Sequence, residues 1–431
     1  MSTREKAVTG KGAATAMLGL GLESRNQALA SMATALRKGS KDVARANAED
    51  LEEARRTGLP AALLSRLHFG DEKIEASIAG LEALRALPDP LGRQISARRL
   101  DEGLVLRQLS CPIGLIAMIF ESRPDALVQM AALCAKSGNA VLLKGGSEAA
   151  RTNRALAALI LDAGIEAGLP ESWLSLLESR AEVAELLGLD EFVDLLVPRG
   201  SKEFVARIKA ESRIPVLGHS DGICHLYLHA DADLAMATVL AVDSKTQYPA
   251  ACNAAEVLLV HSDFAPKGLP TVVAALESAG VAIESCPRSA AILGRHATMS
   301  ESGPWSVEYL ELRMAVKIVD SLDAAVAHIN RYGSRHTDAI VTTSAEAAGS
   351  FMEKVDSASV YWNASTRFAD GYRYGLGAEL GISTGKLHAR GPVGLEGLCT
   401  YKWKLSGSGQ TVADYASGRR AFIHEELADG S

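Results

Sequence analysis

The sequence has 431 residues, of which 48% are hydrophobic, 23% charged and 5% aromatic, the balance of a globular protein that buries large cores. This composition excludes a disordered chain, a collagen and a coiled coil. With 45 basic and 52 acidic residues the formal charge at pH 7 is −7. Such a surface does not attract phosphate backbones or anionic lipid over its whole area, so no nucleic-acid partner is expected.

Membrane and disulfide patterns are also missing from the sequence. The longest stretch without a charged residue, 108–120, is well short of the roughly 20 apolar residues of a membrane span. The six cysteines are scattered without a C-x-x-C pair, and the ten histidines lack metal-ligand spacing. We therefore expect reduced thiols, no metal site, no membrane partner and a cytoplasmic location.

The predicted elements begin with a helical section and a hairpin. Residues 13–87 are rich in Ala, Leu, Glu and Arg at helical spacing, and the run from Ala13 through Leu36 predicts a first amphipathic helix. Residues 92–109 alternate around a polar turn at 101–103, which is the pattern of a β-hairpin. This hairpin is predicted to form an arm that pairs with another subunit.

From residue 113 onward, short apolar runs alternate with helical stretches, which predicts βαβ units and a parallel sheet. A second series of the same kind begins near Asp231. After Trp362 the chain becomes rich in Gly, Ser and Thr, which is typical of loops that line a site. The predicted fold class is therefore α/β, with two doubly wound α/β domains and a β-hairpin oligomerisation arm.

A strand, a Gly-Gly turn and a helix start surround Lys144. Residues 139–143 form the predicted strand, and Glu148 falls in the first turn of the helix. Helix N-termini attract anions, and α/β sheets bind nucleotides at the carboxyl ends of their strands. The pattern recurs at 195–202. Two such elements indicate a dinucleotide, although neither contains G-x-G-x-x-G and each is also common as an ordinary connection.

Cys252 lies in a polar loop, Lys245-Thr-Gln-Tyr-Pro-Ala-Ala-Cys252-Asn253, between a predicted helix and a strand. A thiol in such a loop is accessible to substrate, and nearby amide groups can steady a thiolate or a developing oxyanion. The alternative is a small buried hydrophobe, as most cysteines are.

A dense set of polar side chains occupies 326–340, between a predicted helix and a strand. A solvated helix cap and a binding loop for a polar, anionic substrate explain this segment equally well.

Together these segments resemble the γ-glutamyl phosphate reductases, the phosphate-releasing branch of the aldehyde dehydrogenase superfamily, over nearly the whole chain. The motifs that carry the resemblance are Cys-Pro-Ile-Gly-Leu-Ile-Ala-Met-Ile-Phe-Glu121-Ser-Arg123-Pro124, Lys136-Ser-Gly-Asn-Ala-Val-Leu-Leu-Lys144-Gly-Gly, the Cys252 loop, His328-Ile-x-x-Tyr332-Gly-Ser-x-His336-Thr-Asp338-x-Ile340, and Asn363-Ala-Ser-Thr-Arg367-Phe through Gly391-Pro-x-Gly-Leu395.

The resemblance implies a mechanism and its residues. A Cys252 thiolate attacks an acyl phosphate, phosphate leaves, and NADPH reduces the thioester to glutamate 5-semialdehyde. The small-molecule substrate is then L-glutamyl 5-phosphate, supplied by a separate glutamate 5-kinase. The implied residues are Cys252 and Asn253 for catalysis, Lys144, Glu148, Gly200, Ser201 and Glu308 for the cofactor, and Arg123, Lys245, His336, Asn363 and Arg367 for the substrate.

Three segments of the sequence depart from the patterns of related enzymes, and these departures bear on the expected mechanism. The segment 215–220 has no carboxylate where hydrolytic aldehyde dehydrogenases carry a water-activating glutamate, so phosphate, not water, is the expected partner. The segment 121–124 lacks the usual oxyanion asparagine, which leaves the Cys252 N–H and Asn253 as donors. Gln247-Tyr-Pro replaces the Gln-Arg-Pro of many members. The phosphate then falls to Arg123, Lys245 or Arg367, although Arg123 can instead pair with Glu121.

Three other functions compete with this one. Another aldehyde dehydrogenase, hydrolytic or CoA-dependent, is the nearest. A cysteine hydrolase that pairs Cys252 with His219 or His336 needs no nicotinamide. A non-catalytic binding protein is the third.

The resemblance also implies domain boundaries. Residues 1–92 and 111–230 are expected to form the NADP-binding domain, and 231–364 the catalytic domain. Residues 365–400 are expected to return to the cofactor domain and its active-site loops, while 93–110 and 401–431 form the oligomerisation arm of a homodimer or higher oligomer.

Overall fold

A computed structural model of the chain describes residues 1–121, 123–218 and 221–428. The helices over these residues, in chain order, are α1 (Thr3–Met17), α2 (Leu22–Lys38), α3 (Ser40–Arg56), α4 (Ala61–Leu67), α5 (Asp71–Ala86), α6 (Pro124–Lys136), α7 (Ala150–Glu166), α8 (Arg180–Leu186), α9 (Lys202–Glu211), α10 (Leu234–Thr246), α11 (Ala265–Ser278), α12 (Pro287–Ile292), α13 (Leu322–Tyr332), α14 (Ala345–Lys354) and α15 (Val412–Ala416).

The strands, in the same order, are β1 (Gln94–Asp101), β2 (Leu104–Pro112), β3 (Leu115–Ile119), β4 (Ala140–Lys144), β5 (Leu174–Leu177), β6 (Leu195–Pro198), β7 (Cys224–Leu228), β8 (Ala255–His261), β9 (Ala282–Ser285), β10 (Arg313–Val319), β11 (Thr337–Val341), β12 (Ser359–Trp362), β13 (Gly381–Ser383), β14 (Gly391–Val393), β15 (Cys399–Ser406) and β16 (Glu425–Glu426). No helix of the described chain is both long enough and apolar enough to cross a membrane.

The chain divides into two compact units. One comprises 1–217 and 394–431, and the other comprises 218–393. These bounds differ from the expected domain limits, because 218–230 and 365–393 belong to the unit that holds Cys252. The reason for the first difference is pairing: β7 hydrogen-bonds to β8 and β11 in the centre of that unit's sheet.

The first unit contains a parallel sheet of order β5-β4-β3-β6. Strands β3 and β4 are buried throughout, which explains their uninterrupted apolar sequences. Helix α1 packs against β3, β4 and β5, and α6 packs against β4 and the helices α2, α5 and α7. The predicted βαβ organisation is confirmed here.

The start of this unit corrects one prediction. The expected single helix from Ala13 through Leu36 is two helices, because α1 ends at Met17 and α2 begins at Leu22. Between them the chain reads Leu-Gly-Leu-Gly, and glycines destabilise a helix interior. Helix α1 begins with a capping box between Ser2 and Glu5.

The predicted hairpin is confirmed as β1 and β2, with Gly103 at φ +69° in its turn. Its pairing differs from the expectation, because in the structure it pairs with the C-terminal segment of the same chain. Strand β15 runs antiparallel to β2 from Cys399 opposite Pro112 to Ser406 opposite Val105, and β16 pairs with β1. Both edges of β2 are therefore occupied within this chain.

The second unit contains a parallel sheet of order β12-β11-β7-β8-β10-β9. Alternate residues of its strands enter two separate cores, one on each face. Helices α10 and α11 cover one face, with Leu258 and Val316 beneath them. Val257 and Ile340 point to the other face, where Phe351 of α14 and Trp305 pack. This is the doubly wound arrangement that the sequence predicted.

Candidate active site

Cys252 lies at the amino end of the sheet in the second unit. Its loop joins α10 to β8, and the side chain is half-buried. Chain segments that lead into β7, β8 and β11 meet at this end because the three strands are parallel neighbours. The site around Cys252 is therefore built from the residues just before these strands.

His336 is the side chain that contacts the thiol. Its Nε2 lies 3.2 Å from the Cys252 Sγ, and the imidazole is fully buried immediately before β11. Its other nitrogen, Nδ1, lies 2.8 Å from the Thr337 hydroxyl. The sequence assigned His336 to substrate binding, whereas the structure places it where a proton can pass between sulfur and nitrogen. His219, the other histidine considered as a partner, lies outside the described residues.

Gly222 and Glu308 approach the Cys252 loop closely. The Gly222 N–H donates to Glu308 Oε1 at 3.0 Å. A Cβ on Gly222 would overlap the backbone oxygen and Cα of Cys252 and the Glu308 carboxylate. Only glycine therefore fits between the two segments. Glu308, predicted to contact the nicotinamide ribose, thus lies beside the reactive loop.

Asn253 has a structural contact. Its Nδ2 donates to the backbone oxygen of Ala369 at 2.8 Å, while its Oδ1 is buried and has no hydrogen-bond partner. The side-chain amide predicted to support an oxyanion therefore holds the 369 segment. Ser122, in the segment where the usual oxyanion asparagine is missing, lies outside the described residues.

Lys245, predicted to bind the substrate phosphate, has a different partner in the structure. Lys245 is fully buried, and its Nζ lies 2.6 Å from Oε2 of the equally buried Glu256. The other Glu256 oxygen accepts the Leu310 N–H at 3.4 Å, two residues after Glu308. Burial raises the pKa of Glu256 to about 7 despite the opposing effect of Lys245, and burial lowers the pKa of Lys245. The sequence missed this pair because a lysine near a helix end is usually solvated.

Arg367 is the cation that the structure associates with Cys252. Burial lowers the pKa of its guanidinium, Arg373 lowers it further, and Cys252 acts in the opposite direction. Its Nε donates to Oε1 of Gln247 at 2.9 Å, and its guanidinium lies 5.9 Å from the centre of the Tyr248 ring. Of the three cations proposed for phosphate, Arg367 has the environment that this role requires.

Asn363, also predicted to bind substrate, contacts the backbone of a neighbouring strand end. Asn363 follows β12 at the carboxyl end of the sheet, whereas Cys252 is at the amino end. Its amide spans the backbone of Thr342, accepting the N–H at 3.0 Å and donating to the C=O at 2.9 Å. Asn363 has φ +53°, a left-handed conformation that asparagine tolerates better than most residues. Asn363 thus links the carboxyl ends of the neighbouring strands β11 and β12.

The polar segment 326–340 has three separate roles. His328 packs against the rings of Trp305 and Tyr332, and burial together with nearby positive charges lowers its pKa to about 3. Asp338 Oδ1 accepts the backbone N–H of His225 at 2.8 Å and lies 2.8 Å from the His225 ring nitrogen Nδ1. Only His336 reaches the thiol. Neither the solvated cap nor the binding loop describes the whole segment.

In the first unit, Lys144 is placed as the sequence predicted. It ends β4, its side chain is 8% exposed, and its Nζ donates to the Gly145 oxygen. Burial lowers the pKa of this ammonium, and the charge of Glu148 opposes that effect. A Cβ on Gly146 would overlap the Glu148 carboxylate. Lys144 and the Gly-Gly turn lie at the carboxyl end of β4, a position that suits an anionic ligand group.

The other first-unit candidates follow neighbouring strands of the same sheet. Gly200 and Ser201 connect β6 to α9, and the Ser201 hydroxyl caps that helix by accepting the Phe204 N–H at 3.3 Å. Arg123 follows β3, is half-exposed, and pairs with Asp125 at 2.9 Å, not with Glu121. These residues lie at the carboxyl ends of β3, β4 and β6, where a dinucleotide is expected. Among the described residues, no group of three or more His, Cys, Asp or Glu side chains is arranged to hold a metal ion.

Comparisons with known proteins place this chain of two α/β units among the aldehyde dehydrogenases. The sequence profile of the Aldehyde dehydrogenase family matches residues 10–285. γ-Glutamyl phosphate reductase from Pelotomaculum thermopropionicum is 52% identical over 99% of this chain and 98% of its own length. The enzyme of that name from Acetivibrio thermocellus is 50% identical over 99% of both chains.

A solved structure agrees with these sequences. The crystal structure of γ-glutamyl phosphate reductase from Thermotoga maritima superimposes with a TM-score of 0.93 at 37% identity, covering 95% of this chain and all of that one. The chain therefore belongs to the γ-glutamyl phosphate reductases within the aldehyde dehydrogenase family. The predicted fold class and family are confirmed, and membership of this family implies a nicotinamide cofactor.

Proposed function

We propose that this protein reduces L-glutamyl 5-phosphate to L-glutamate 5-semialdehyde with NADPH and releases phosphate, the second step of proline biosynthesis from glutamate. The contact between the Cys252 Sγ and His336 Nε2 at 3.2 Å carries the proposal. It supplies an activated nucleophile in a chain whose relatives are named for this reaction.

In the first half-reaction, His336 accepts the Cys252 proton at Nε2 and leaves a thiolate. The sulfur attacks the acyl carbon of the substrate, and the tetrahedral oxyanion collapses by breaking the carbon–oxygen bond to phosphate. A thioester on Cys252 remains, and inorganic phosphate leaves with the bonding electron pair. Arg367 is the cation that we assign to the phosphate, because its charge interacts with Cys252 and it is largely buried.

The cofactor is assigned to the residues at the carboxyl end of the first unit's sheet. In this unit, Lys144 and Glu148 would bind the adenosine ribose and its 2′-phosphate, and Gly200 and Ser201 would approach the pyrophosphate. When bound, NADPH supplies the hydride that reduces the thioester. The partly buried ammonium of Lys144 favours a phosphorylated ribose, and hence NADP over NAD.

In the second half-reaction, the reduced carbon remains attached to Cys252 as a thiohemiacetal oxyanion. Breaking its carbon–sulfur bond forms the aldehyde and returns the electron pair to sulfur. His336 holds the proton from the first step at Nε2 and so stabilises the departing thiolate. The backbone N–H of Cys252 remains our assignment for the oxyanion, since the Asn253 amide contacts Ala369.

The reverse reaction tests this proposal. Purified protein is mixed with glutamate 5-semialdehyde and NADP, and NADPH absorbance is followed with and without inorganic phosphate for wild type, Cys252→Ala and Cys111→Ala. Cys111 is the matched control, because it is also a free, half-buried cysteine but lies in β2. We expect phosphate-dependent NADP reduction in wild type and Cys111→Ala and its loss in Cys252→Ala.

The same experiment distinguishes the alternatives. The Cys252–His336 contact also favours a cysteine hydrolase, which would cleave an activated ester without nicotinamide. NADP reduction that does not depend on phosphate would instead indicate a hydrolytic aldehyde dehydrogenase. Full activity in Cys252→Ala would remove the cysteine from the mechanism.

We further propose a cytoplasmic homo-oligomer that receives its substrate from a separate glutamate 5-kinase. The free cysteines support a reducing compartment. An acyl phosphate is labile, which favours transfer from a kinase nearby. A monomer by light scattering at micromolar concentration would contradict the oligomer.

A further inference from the structure

The contact between the Cys252 thiol and the His336 imidazole can activate the thiol only with one placement of the ring proton. His336 can accept the Cys252 proton at Nε2 only if that nitrogen carries a lone pair, so the ring proton must be on Nδ1. After the transfer the imidazolium carries protons on both nitrogens. Before and after activation alike, the Nδ1–H requires an acceptor inside the protein.

The Thr337 hydroxyl is positioned to be that acceptor. Its Oγ1 lies 2.8 Å from His336 Nδ1, and both residues are fully buried. The Cys224 sulfur lies farther from Nδ1, at 3.8 Å. This sulfur is a weak acceptor, and it already interacts with the backbone N–H of Thr337. A buried N–H without an acceptor is costly, so a hydroxyl that accepts from Nδ1 supports the tautomer with its proton on Nδ1 and, after the proton transfer, the imidazolium.

We propose that Thr337 is a positioning residue that keeps the His336 proton on Nδ1 and thereby makes Nε2 a base for Cys252. The inference rests on the proposed role of Cys252 as the nucleophile. It assigns to a neutral hydroxyl the task that an aspartate performs in a Ser-His-Asp triad. A hydroxyl that accepts the Nδ1–H stabilises the imidazolium without adding a negative charge next to a sulfur that must itself become negative.

Strand geometry explains why the two side chains meet although they are adjacent in sequence. His336 precedes β11 and Thr337 begins it, so regular strand alternation has not yet separated their side chains. Both imidazole nitrogens are thus occupied, Nε2 by sulfur and Nδ1 by the hydroxyl. Rotation of the ring by 180° would break both contacts.

The test is the pH dependence of Cys252 alkylation, since iodoacetamide reacts with the thiolate. Alkylation of the Cys252 peptide is followed by mass spectrometry in the full-length protein, which separates it from Cys111. Thr337→Val keeps the shape of the side chain and removes the hydroxyl, whereas Thr337→Ser keeps the hydroxyl. We expect the midpoint of the alkylation profile to rise by about one pH unit in Thr337→Val, with kcat/KM about tenfold lower at neutral pH. Thr337→Ser should restore both.

Other charged groups contribute to this profile but are identical in every variant. Groups that interact with Cys252, with the adjoining Cys224 sulfur or with the loop beside it include Arg367, Cys224, Asp338, Glu256, Glu308, Lys245 and Tyr361. A difference between Thr337→Val and Thr337→Ser therefore reports the hydroxyl alone.

Thr342→Val is the matched control. Thr342 is a buried threonine immediately after the same strand, and its hydroxyl donates to Asp231 at 2.6 Å, at the end away from His336. This variant should lose stability without moving the midpoint. If Thr337→Val does not fold, Thr337→Ala gives the same comparison with a smaller side chain.

The outcomes separate this inference from the proposed function. An unchanged midpoint in folded Thr337→Val or Thr337→Ala overturns the role of Thr337 while leaving Cys252 as nucleophile. Full activity in Cys252→Ala overturns the proposed function, and with it the inference about Thr337. A midpoint that moves equally in Thr342→Val would show a general effect of weakening β11, which also contradicts the inference.

Discussion

The two parallel sheets of the molecule carry their candidate functional residues at opposite ends of their strands. In the first unit, Lys144 and Ser201 follow strands, at the carboxyl end. In the second, Cys252 and His336 precede strands, at the amino end. A ligand that binds at the carboxyl end gains helix N-termini and their N–H groups. Side chains at the amino end have the C-termini of the preceding helices nearby, and proton transfer between them depends on direct contacts.

This difference decides how much of each site the sequence predicted. The rule that α/β sheets bind nucleotides at carboxyl ends led directly to Lys144 and Ser201. No such rule covers the amino end. Asn363 was assigned to the substrate from the family resemblance, and it lies at the carboxyl end of the second sheet. We therefore expect substitutions at the amino end of the second sheet to have large effects on the chemical step. Substitutions elsewhere should affect cofactor binding or stability.

The largest expected effect is at the amino end. His336→Ala removes the base that contacts Cys252, so kcat/KM should fall about 100-fold to 10,000-fold at neutral pH, measured in the reverse reaction. His328→Phe is the control, since His328 belongs to the same segment but packs against Trp305 and Tyr332. Retention of full activity by His336→Ala would mean that the thiol is activated by another group.

The buried Lys245–Glu256 pair comes next and affects stability. Lys245→Met leaves a buried carboxylate without its partner, which should cost about 3–5 kcal/mol in urea unfolding. The double variant Lys245→Met/Glu256→Leu should recover most of that loss, because neither charge then remains buried. A raised KM for phosphate at unchanged stability would restore Lys245 as a substrate ligand.

Cofactor binding is the effect expected at the carboxyl end of the first sheet. Lys144→Met should raise the KM for NADPH about tenfold to 100-fold, because a charged hydrogen bond to phosphate is lost, while kcat changes less. The KM for NADH should change less, since NADH lacks the 2′-phosphate. Lys144→Arg keeps the charge and should recover part of the affinity. Equal losses for NADPH and NADH would place Lys144 elsewhere on the cofactor.

The fold was predictable from the sequence because the signals for helices and strands are local. The candidate site was only partly predictable. Apolar runs such as 140–143 and 174–177 coincide with β4 and β5. The loop of Cys252 was identifiable from its polar composition. The sequence offered His219 and His336 as partners without choosing between them, because the contact between residues 252 and 336 depends on the neighbouring order of β8, β7 and β11. Periodicity reveals that a strand exists but not which strands are adjacent. One signal was available: polar residues immediately before predicted parallel strands converge at one end.

The smallest effect on catalysis is expected at Asn363. Removing its amide breaks two hydrogen bonds to the Thr342 backbone, and alanine adds strain at φ +53°. Asn363→Ala should therefore lose about 1–2 kcal/mol of stability, and Asn363→Gly, which relieves the strain, somewhat less. KM and kcat should stay at wild-type values in both, because the side chain lies at the other end of the sheet from Cys252. A rise in KM for glutamate 5-semialdehyde without loss of stability would make Asn363 a substrate ligand after all. In that case the separation between the two ends of this sheet would no longer divide catalytic from structural residues.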